Sequence, residues 1–256
     1  MNGSNDLLDT NFILGILKSN PAVIAEVSSR SVYTSECFYS VVTRMELLGY
    51  HGITADEECL SKIYLFSNNR YIRFTDVSAG HDEGYPQKIS GKWPDMPTNF
   101  YQGIDAALYR HDNGKIYLFK GDQYVRFSTA GDKLTFEANS MIAASWPGLP
   151  ESFQQGIDAA FWRKSNGRIY FFKGSQYARF RLVDGKPKLD YVKPIAVNWP
   201  GLPASFETGI DAALMRCSND KIYFFKGCHY VRYLDLENRM DGGLHHINDS
   251  WMPFPK

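Results

Sequence analysis

The sequence predicts a mainly β fold: a four-bladed β-propeller preceded by a short α/β segment. A phrase that recurs at a fixed step predicts the repeats. Gly103-Ile104-Asp105-Ala106-Ala107 with Ile116-Tyr117-Leu118-Phe119 returns at 156–160 with 169–172, and at 209–213 with 222–225. Both steps are 53 residues, a period that marks repeated supersecondary units. Four short β runs within each repeat read as one propeller blade. Trp93, Trp146, Trp199 and Trp251, spaced 53, 53 and 52 residues apart, set the number of blades at four.

The bulk composition bounds the function. The chain has 256 residues, 44% hydrophobic and 15% aromatic, enough to bury a sizeable core. Its 28 basic and 28 acidic residues cancel, which argues against a general electrostatic grip on nucleic acid or an anionic membrane. Cys37, Cys59, Cys217 and Cys228 match no zinc spacing and include no CxxC. Residues 1–10 are polar and acidic and lack the basic start and apolar core of a signal peptide. No apolar run approaches the ~18 residues of a membrane span. The expectation is a soluble, cytoplasmic protein.

Residues 1–58 stand outside the repeat. Leu7-Leu8 leads to Asp9 as a short strand. Asn20-Pro21 opens a helix that continues through 22–27, with Asn at the cap and Pro at the first helical position. Residues 37–42 read as a buried strand. Thr43 and Glu46 form a capping box for a helix after it. Leu8-Asp9-Thr10-Asn11-Phe12 and Val42-Thr43-Arg44-Met45-Glu46-Leu47-Leu48-Gly49-Tyr50 resemble the first half of a PIN domain, a family of metal-dependent ribonucleases. The resemblance implies Asp9 and Glu46 as carboxylates that would hold Mg²⁺ or Mn²⁺ and activate a water. It stops near Glu58, before the remaining acids of that family. Residues 1–58 are therefore expected as an incomplete PIN-like segment, and the nuclease as degenerate.

The repeats justify their own strands. Residues 104–109 are a short strand, and Asn113-Gly114 is a tight-turn signal. Residues 115–119 form a second strand, Gly121-Asp122 turns the chain, and 124–127 form a third. A fourth lies around 134–136, followed by a helical turn at 140–144 and Trp146-Pro147-Gly148-Leu149-Pro150. An earlier copy keeps part of the phrase at Ile63-Tyr64-Leu65-Phe66 and Tyr71-Ile72-Arg73-Phe74. The blades are expected at about 50–100, 103–153, 156–206 and 209–256. Blade one is the irregular one. Counting back 53 from 103–107 lands on Tyr50-His51-Gly52-Ile53-Thr54, which is not the apolar strand required. Either 50–58 fill that place imperfectly or blade one has three strands.

Gly-Ile-Asp-Ala-Ala, Ile-Tyr-Phe-Phe-Lys-Gly, Tyr-x-Arg-Phe and Trp-Pro-Gly-Leu-Pro resemble hemopexin repeats over 59–256, with wording similar to plant seed albumins and bacterial hemopexin-like proteins. The resemblance implies a channel lined by the innermost strands, whose main-chain carbonyls hold a cation. Carried over, the ligands are the carbonyls of Asp105, Asp158 and Asp211, with Ala107, Ala160 and Ala213 as the next ring and Gly52 or Thr54 offered by blade one. Oxygen ligands suit Ca²⁺ or Na⁺. The resemblance also raises haem, for which His51, His81, His111, His229, His245 and His246 are the candidate imidazoles, and polyamine, which needs acidic groups at the channel. It implies as well a disulfide between first and last blades in extracellular members. No cysteine sits at the far C-terminal end, in keeping with a reducing compartment.

Arg73, Arg126, Arg179 and Arg232 recur at the same step and either ring an anion or bond within their own blades. Lys120, Lys173 and Lys226 read as solvated turn residues. No nucleophile elbow, phosphate-cradling glycine loop or His-Glu-x-x-His is present. The function expected is non-catalytic binding: a channel cation, and a surface for a small ligand (haem or polyamine) or a protein partner. The alternatives are a PIN-type ribonuclease and a storage or structural protein.

Overall fold

The computed structural model describes the backbone of 41–44 and residues 62–75, 80–110, 112–130, 133–216 and 219–247. Residues 38–254 form one compact unit. It contains four antiparallel sheets whose strands follow chain order from the inside out. Blade one is β1 Val41–Arg44, β2 Ile63–Ser67, β3 Arg70–Phe74 and β4 Gln87–Lys88. Blade two is β5 Ala106–Arg110, β6 Lys115–Lys120, β7 Gln123–Ala130 and β8 Lys133–Met141. Blade three is β9 Ala159–Arg163, β10 Arg168–Lys173, β11 Gln176–Val183 and β12 Lys186–Pro194. Blade four is β13 Ala212–Arg216, β14 Lys221–Lys226 and β15 His229–Leu234, with β16 Arg239–Met240 and β17 His245–His246 both paired to β15. The innermost strands β1, β5, β9 and β13 neighbour one another in a closed ring.

The sequence pattern explains the stacking. Successive strand residues face opposite sides of a sheet. A blade lies between two neighbours, so both faces must be apolar, which gives continuous runs rather than alternation. Ile116 and Leu118 enter the core layer between blades one and two, and Tyr117 and Phe119 enter the layer between blades two and three. Two further layers lie between blades three and four and between blades four and one, closing the propeller.

Short helical turns aim the tryptophans into these layers. These are α1 Ile89–Lys92, α2 Ile142–Ser145 and, after β12, α4 Ile195–Asn198; α3 Glu151–Gln154 and α5 Ala204–Glu207 lead back toward the axis. The Trp146 amide donates to the Ile142 carbonyl at 2.9 Å, with the same bond at Trp93 and Trp199 at 3.1 Å. All three indoles are buried. The helical turn expected at 140–144 starts two residues later, because β8 runs on to Met141 across a register shift at Arg126/Phe127.

The innermost strand of blade one comes from an unexpected place. It is Val41–Arg44, which pairs antiparallel with β2 in the register Val41↔Phe66 through Arg44↔Ile63. Neither 50–58 nor a missing strand describes the blade, and Thr43 lies in a strand rather than at a helix cap. Val41-Val42-Thr43 is a β-branched run suited to a sheet, and the ring needs a fourth inner strand to close. Eighteen residues, 45–62, then join β1 to β2 where the four residues 111–114 suffice in blade two. The strand and helices expected within 1–36 lie outside the described residues.

Candidate functional site

The first residues of blades two, three and four form one repeated device. Asp105 Oδ1 accepts a 2.7 Å bond from Lys120 Nζ, and Oδ2 accepts the Gly121 amide at 2.8 Å. Asp158 does the same with Lys173 and Gly174 at 2.6 and 2.8 Å, and Asp211 with Lys226 and Gly227 at 2.7 and 2.8 Å. The lysines are therefore ion-paired, not merely solvated. The aspartate amides complete the device by donating to Phe119, Phe172 and Phe225 carbonyls at 2.9 Å. The glycine two residues earlier is required by close approach. At Gly103, with φ +148, a Cβ would lie 3.2 Å from the Asn68 carbonyl oxygen of the preceding blade's turn.

The alanines that follow are wholly buried, and their side chains leave the axis free. Ala106, Ala159 and Ala212 pack into the layer toward the next blade, and Ala107, Ala160 and Ala213 into the layer toward the previous one. Small side chains are needed where four strands converge. Among the described residues, no group of three or more His, Cys, Asp and Glu is placed to hold a metal ion.

The four recurring arginines bond within their own blades. Arg73 pairs with Asp82, Arg126 Nε with Glu137 at 2.8 Å, Arg179 Nε with Asp190 at 3.0 Å and Arg232 Nε with Asp241 at 3.2 Å. They join the third strand of each blade to its outer segment. Burial pushes the Asp82 and Glu137 carboxyls up, but their cationic partners and hydrogen bonds hold both below the ordinary value. At Asp241 the Lys221 hydrogen bond lowers the carboxyl, against a weaker opposing effect of burial.

The histidines are divided between surfaces. His245 and His246 are neighbours on β17, so they face opposite sides of the sheet and do not converge on one iron. His246 meets His229 across the ladder at 5.4 Å between rings, and His245 stacks on Tyr230 at 5.0 Å. His81 Nδ1 lies 3.0 Å from the Asp82 carbonyl. Cys228 is half-buried. Asp9, Glu46, His51, Gly52, Thr54 and His111 lie outside the described residues.

Two features escaped the sequence reading. Arg110 and Arg163, also 53 apart, end the innermost strands and reach into the next blade. Arg110 Nη2 donates to the Gly185 carbonyl at 3.1 Å, and Arg163 Nε to Asp235 Oδ1 at 2.5 Å. Their step was a usable signal, but their partners lie about 70 residues away. The second feature is a cleft of about 460 Å³ between blades three and four, lined by Arg163, Tyr170, Tyr177, Arg179, Tyr191, Asp235 and their neighbours. Among the described residues, no helix is long and apolar enough to cross a membrane.

Comparison with known proteins follows the same outline. The hemopexin family profile matches residues 51–98, 104–151, 157–204 and 210–255. Albumin-2 of Lathyrus sativus is 38% identical over 122 residues, 46% of this chain and 53% of that protein. The chain thus spans about half the length of the curated relatives it matches first. The crystal structure of hemopexin-fold protein CP4 from cow pea is 25% identical, with a TM-score of 0.67 over 84% of this chain and 95% of that one. A plant lectin with two metal-binding sites from Cicer arietinum is 24% identical, with a TM-score of 0.66 over 84% of this chain and 96% of that one. With four repeats matched in sequence and four blades closed in space, this chain belongs to the hemopexin family.

Proposed function

We propose that the protein is a non-catalytic binding propeller whose channel takes a hard cation, Ca²⁺ or Na⁺. The carbonyls of Asp105, Asp158 and Asp211 would hold it, with those of Ala107, Ala160 and Ala213 as the ring below. The observation that carries the reading is the packing of the inner-strand alanines of blades two, three and four into the layers between blades, which would leave their main-chain carbonyls available at the axis. The Asp–Lys–Gly device supports it by holding three strand starts in one conformation while occupying the aspartate side chains. Carbonyl oxygens suit a hard cation, not a transition metal. Counted in register from β1, the blade-one carbonyl offered to this ring would be that of residue 40, a serine. The metal sites of the Cicer arietinum lectin agree with a cation in this fold.

Haem and polyamine receive less support. Each strand-start aspartate is already matched by a lysine, so the three devices together add no surplus negative charge for a polyamine. A thermal melt after chelation in sodium-free buffer, repeated with Ca²⁺, Na⁺, Mn²⁺, haemin and spermine in turn, tests the reading. A cation at ~100 times its dissociation constant adds ~2.7 kcal/mol and raises the midpoint by several degrees. A rise with Ca²⁺ or Na⁺ is the expected result. No rise with either sinks the channel cation, and a rise with Mn²⁺ alone would favour a PIN-type nuclease.

A further inference from the structure

The neutral charge of the whole chain hides a local excess. Between residues 156 and 208 there are nine Lys and Arg against four Asp and Glu, in a chain that balances 28 against 28. Part of the excess has a structural explanation. Lys186-Pro187-Lys188 and Lys193-Pro194 lie on β12, the outer edge of blade three, where Lys and Pro discourage edge-to-edge pairing. The guanidinium cluster around Asp190 has no such explanation.

Asp190 is almost buried, and Arg168, Arg179 and Arg181 surround it at 3.7, 3.0 and 2.5 Å. Among the described residues, the equivalent carboxylates have fewer guanidiniums at ion-pair distance. Glu137 has Lys115 and Arg126, Asp241 has Lys221 and Arg232, and Asp82 has Arg73. Blade three therefore keeps two cationic charges beyond its carboxylate at this spot. Arg179 lies with its guanidinium 4.3 Å over the Tyr191 ring, and Lys193 Nζ lies 4.4 Å from the same ring.

This cluster borders the cleft. Arg179 and Tyr191 line it directly, together with the blade-four hairpin at Asp235, Leu236 and Asn238. The cleft is open because blade four has only the two-residue β16 and β17 outside β15, where blade three has the nine-residue β12. Its walls are polar. They carry phenols of Tyr170, Tyr177 and Tyr191 and amides of Asn166, Asn198 and Asn238 beside two guanidiniums; Asp235 balances Arg163, which leaves Arg179 as the surplus cation of the walls. The combination suits a ligand with several hydroxyls and one negative charge.

We propose that this cleft binds a hydroxylated anion of mono- to disaccharide size, a sugar phosphate or a sugar acid, with Arg179 facing the anionic group. The site is separate from the channel, so it should work equally in chelated protein.

Titration calorimetry on the full chain tests it, with glucose 6-phosphate, glucuronate, glucose and inorganic phosphate as probes. Glucose 6-phosphate or glucuronate should bind at least about ten-fold tighter than glucose, a difference of about 1.4 kcal/mol. Whichever of the two binds identifies the anion. Binding should weaken as salt rises. Arg179→Gln should cost about ten-fold or more, whereas Arg126→Gln, its counterpart in blade two, should leave affinity unchanged within about two-fold. Leu236→Glu provides a second variant that does not disturb packing, since Leu236 is 84% exposed at the cleft. It should weaken the anionic probes and leave thermal stability intact. The proposal fails if neither anionic sugar binds at about 1 mM, or if glucose binds as well as they do. It also fails if inorganic phosphate alone matches glucose 6-phosphate, or if Arg126→Gln is as harmful as Arg179→Gln.

Discussion

Arg163, the last residue of the innermost strand of blade three, is ion-paired to Asp235 in the hairpin of blade four. The bond from Nε to Oδ1 is 2.5 Å, and the Asp235 side chain is only 3% exposed. Ser165 donates to the same carboxylate through its amide and its hydroxyl, at 3.1 and 2.8 Å. The pair joins adjacent blades at a distance of 72 residues in the chain.

Breaking this pair should be costly. Arg163→Ala leaves a buried carboxylate without its cation, and loss of one partner of a buried pair costs about 3–5 kcal/mol. Lys164→Ala, one residue on, removes a pair to Asp220 in which both side chains are more than half exposed, and should cost less than about 1 kcal/mol. Urea unfolding of the two variants measures the contrast. Equal losses would show that the buried pair has no special role.

The strand-start device should contribute modestly at each copy. Asp158→Ala removes bonds from Lys173 and Gly174, but both charged side chains are about one-third exposed. After screening, the loss should be about 1 kcal/mol. Asp105→Ala and Asp211→Ala should behave alike, and the three should be additive because the sites share no partner. Chemical denaturation of single and triple variants checks the sum.

The tryptophans should be as sensitive as the buried ion pair. Trp146 is 1% exposed and lies 4.6 Å, centroid to centroid, from Phe171 of the next blade. Trp146→Ala should cost about 3–5 kcal/mol, the usual range for emptying a buried aromatic site. Trp199→Ala should cost a similar amount, and calorimetric midpoints would reveal any difference between the two layers.

Stability should fall at both ends of the pH range. The native Asp82, Glu137 and Asp241 carboxyls lie below their ordinary values. A lowered native pKa stabilises fully above the unfolded value, 3.8 for Asp and 4.5 for Glu, and the benefit fades as pH falls through the native value. Burial pushes the phenols of Tyr71 and Tyr177 up strongly, and that of Tyr233 from 10.0 to about 12. A raised native pKa stabilises fully below the unfolded value and is lost as pH rises through the native one. Melting temperatures should therefore decline below about pH 4 and above about pH 10. A flat profile at either end would contradict the assignment for that set of groups.

The sequence by itself determined the period, the strands repeated within blades two, three and four, and the blade count. Those features are local. An Ile-Tyr-Phe-Phe run between turn residues must bury both faces, and four such units fill one ring. It also marked Asp105, Asp158 and Asp211 as special through their recurrence, but not what they touch. Lys120 looked like a turn residue because its partner, Asp105, lies 15 residues away across a strand pair. Val41–Arg44 looked like the end of a separate segment, since Thr43 and Glu46 carry a helix-start signal of their own. Ring closure overrode that signal, because without this strand β2 keeps an unpaired inner edge and the ring stays open between β13 and β5. The Arg163–Asp235 pair and the cleft beside it were decided by the tertiary structure alone. Each is made by two blades meeting, and contacts between units distant in the chain leave no periodic trace in either one.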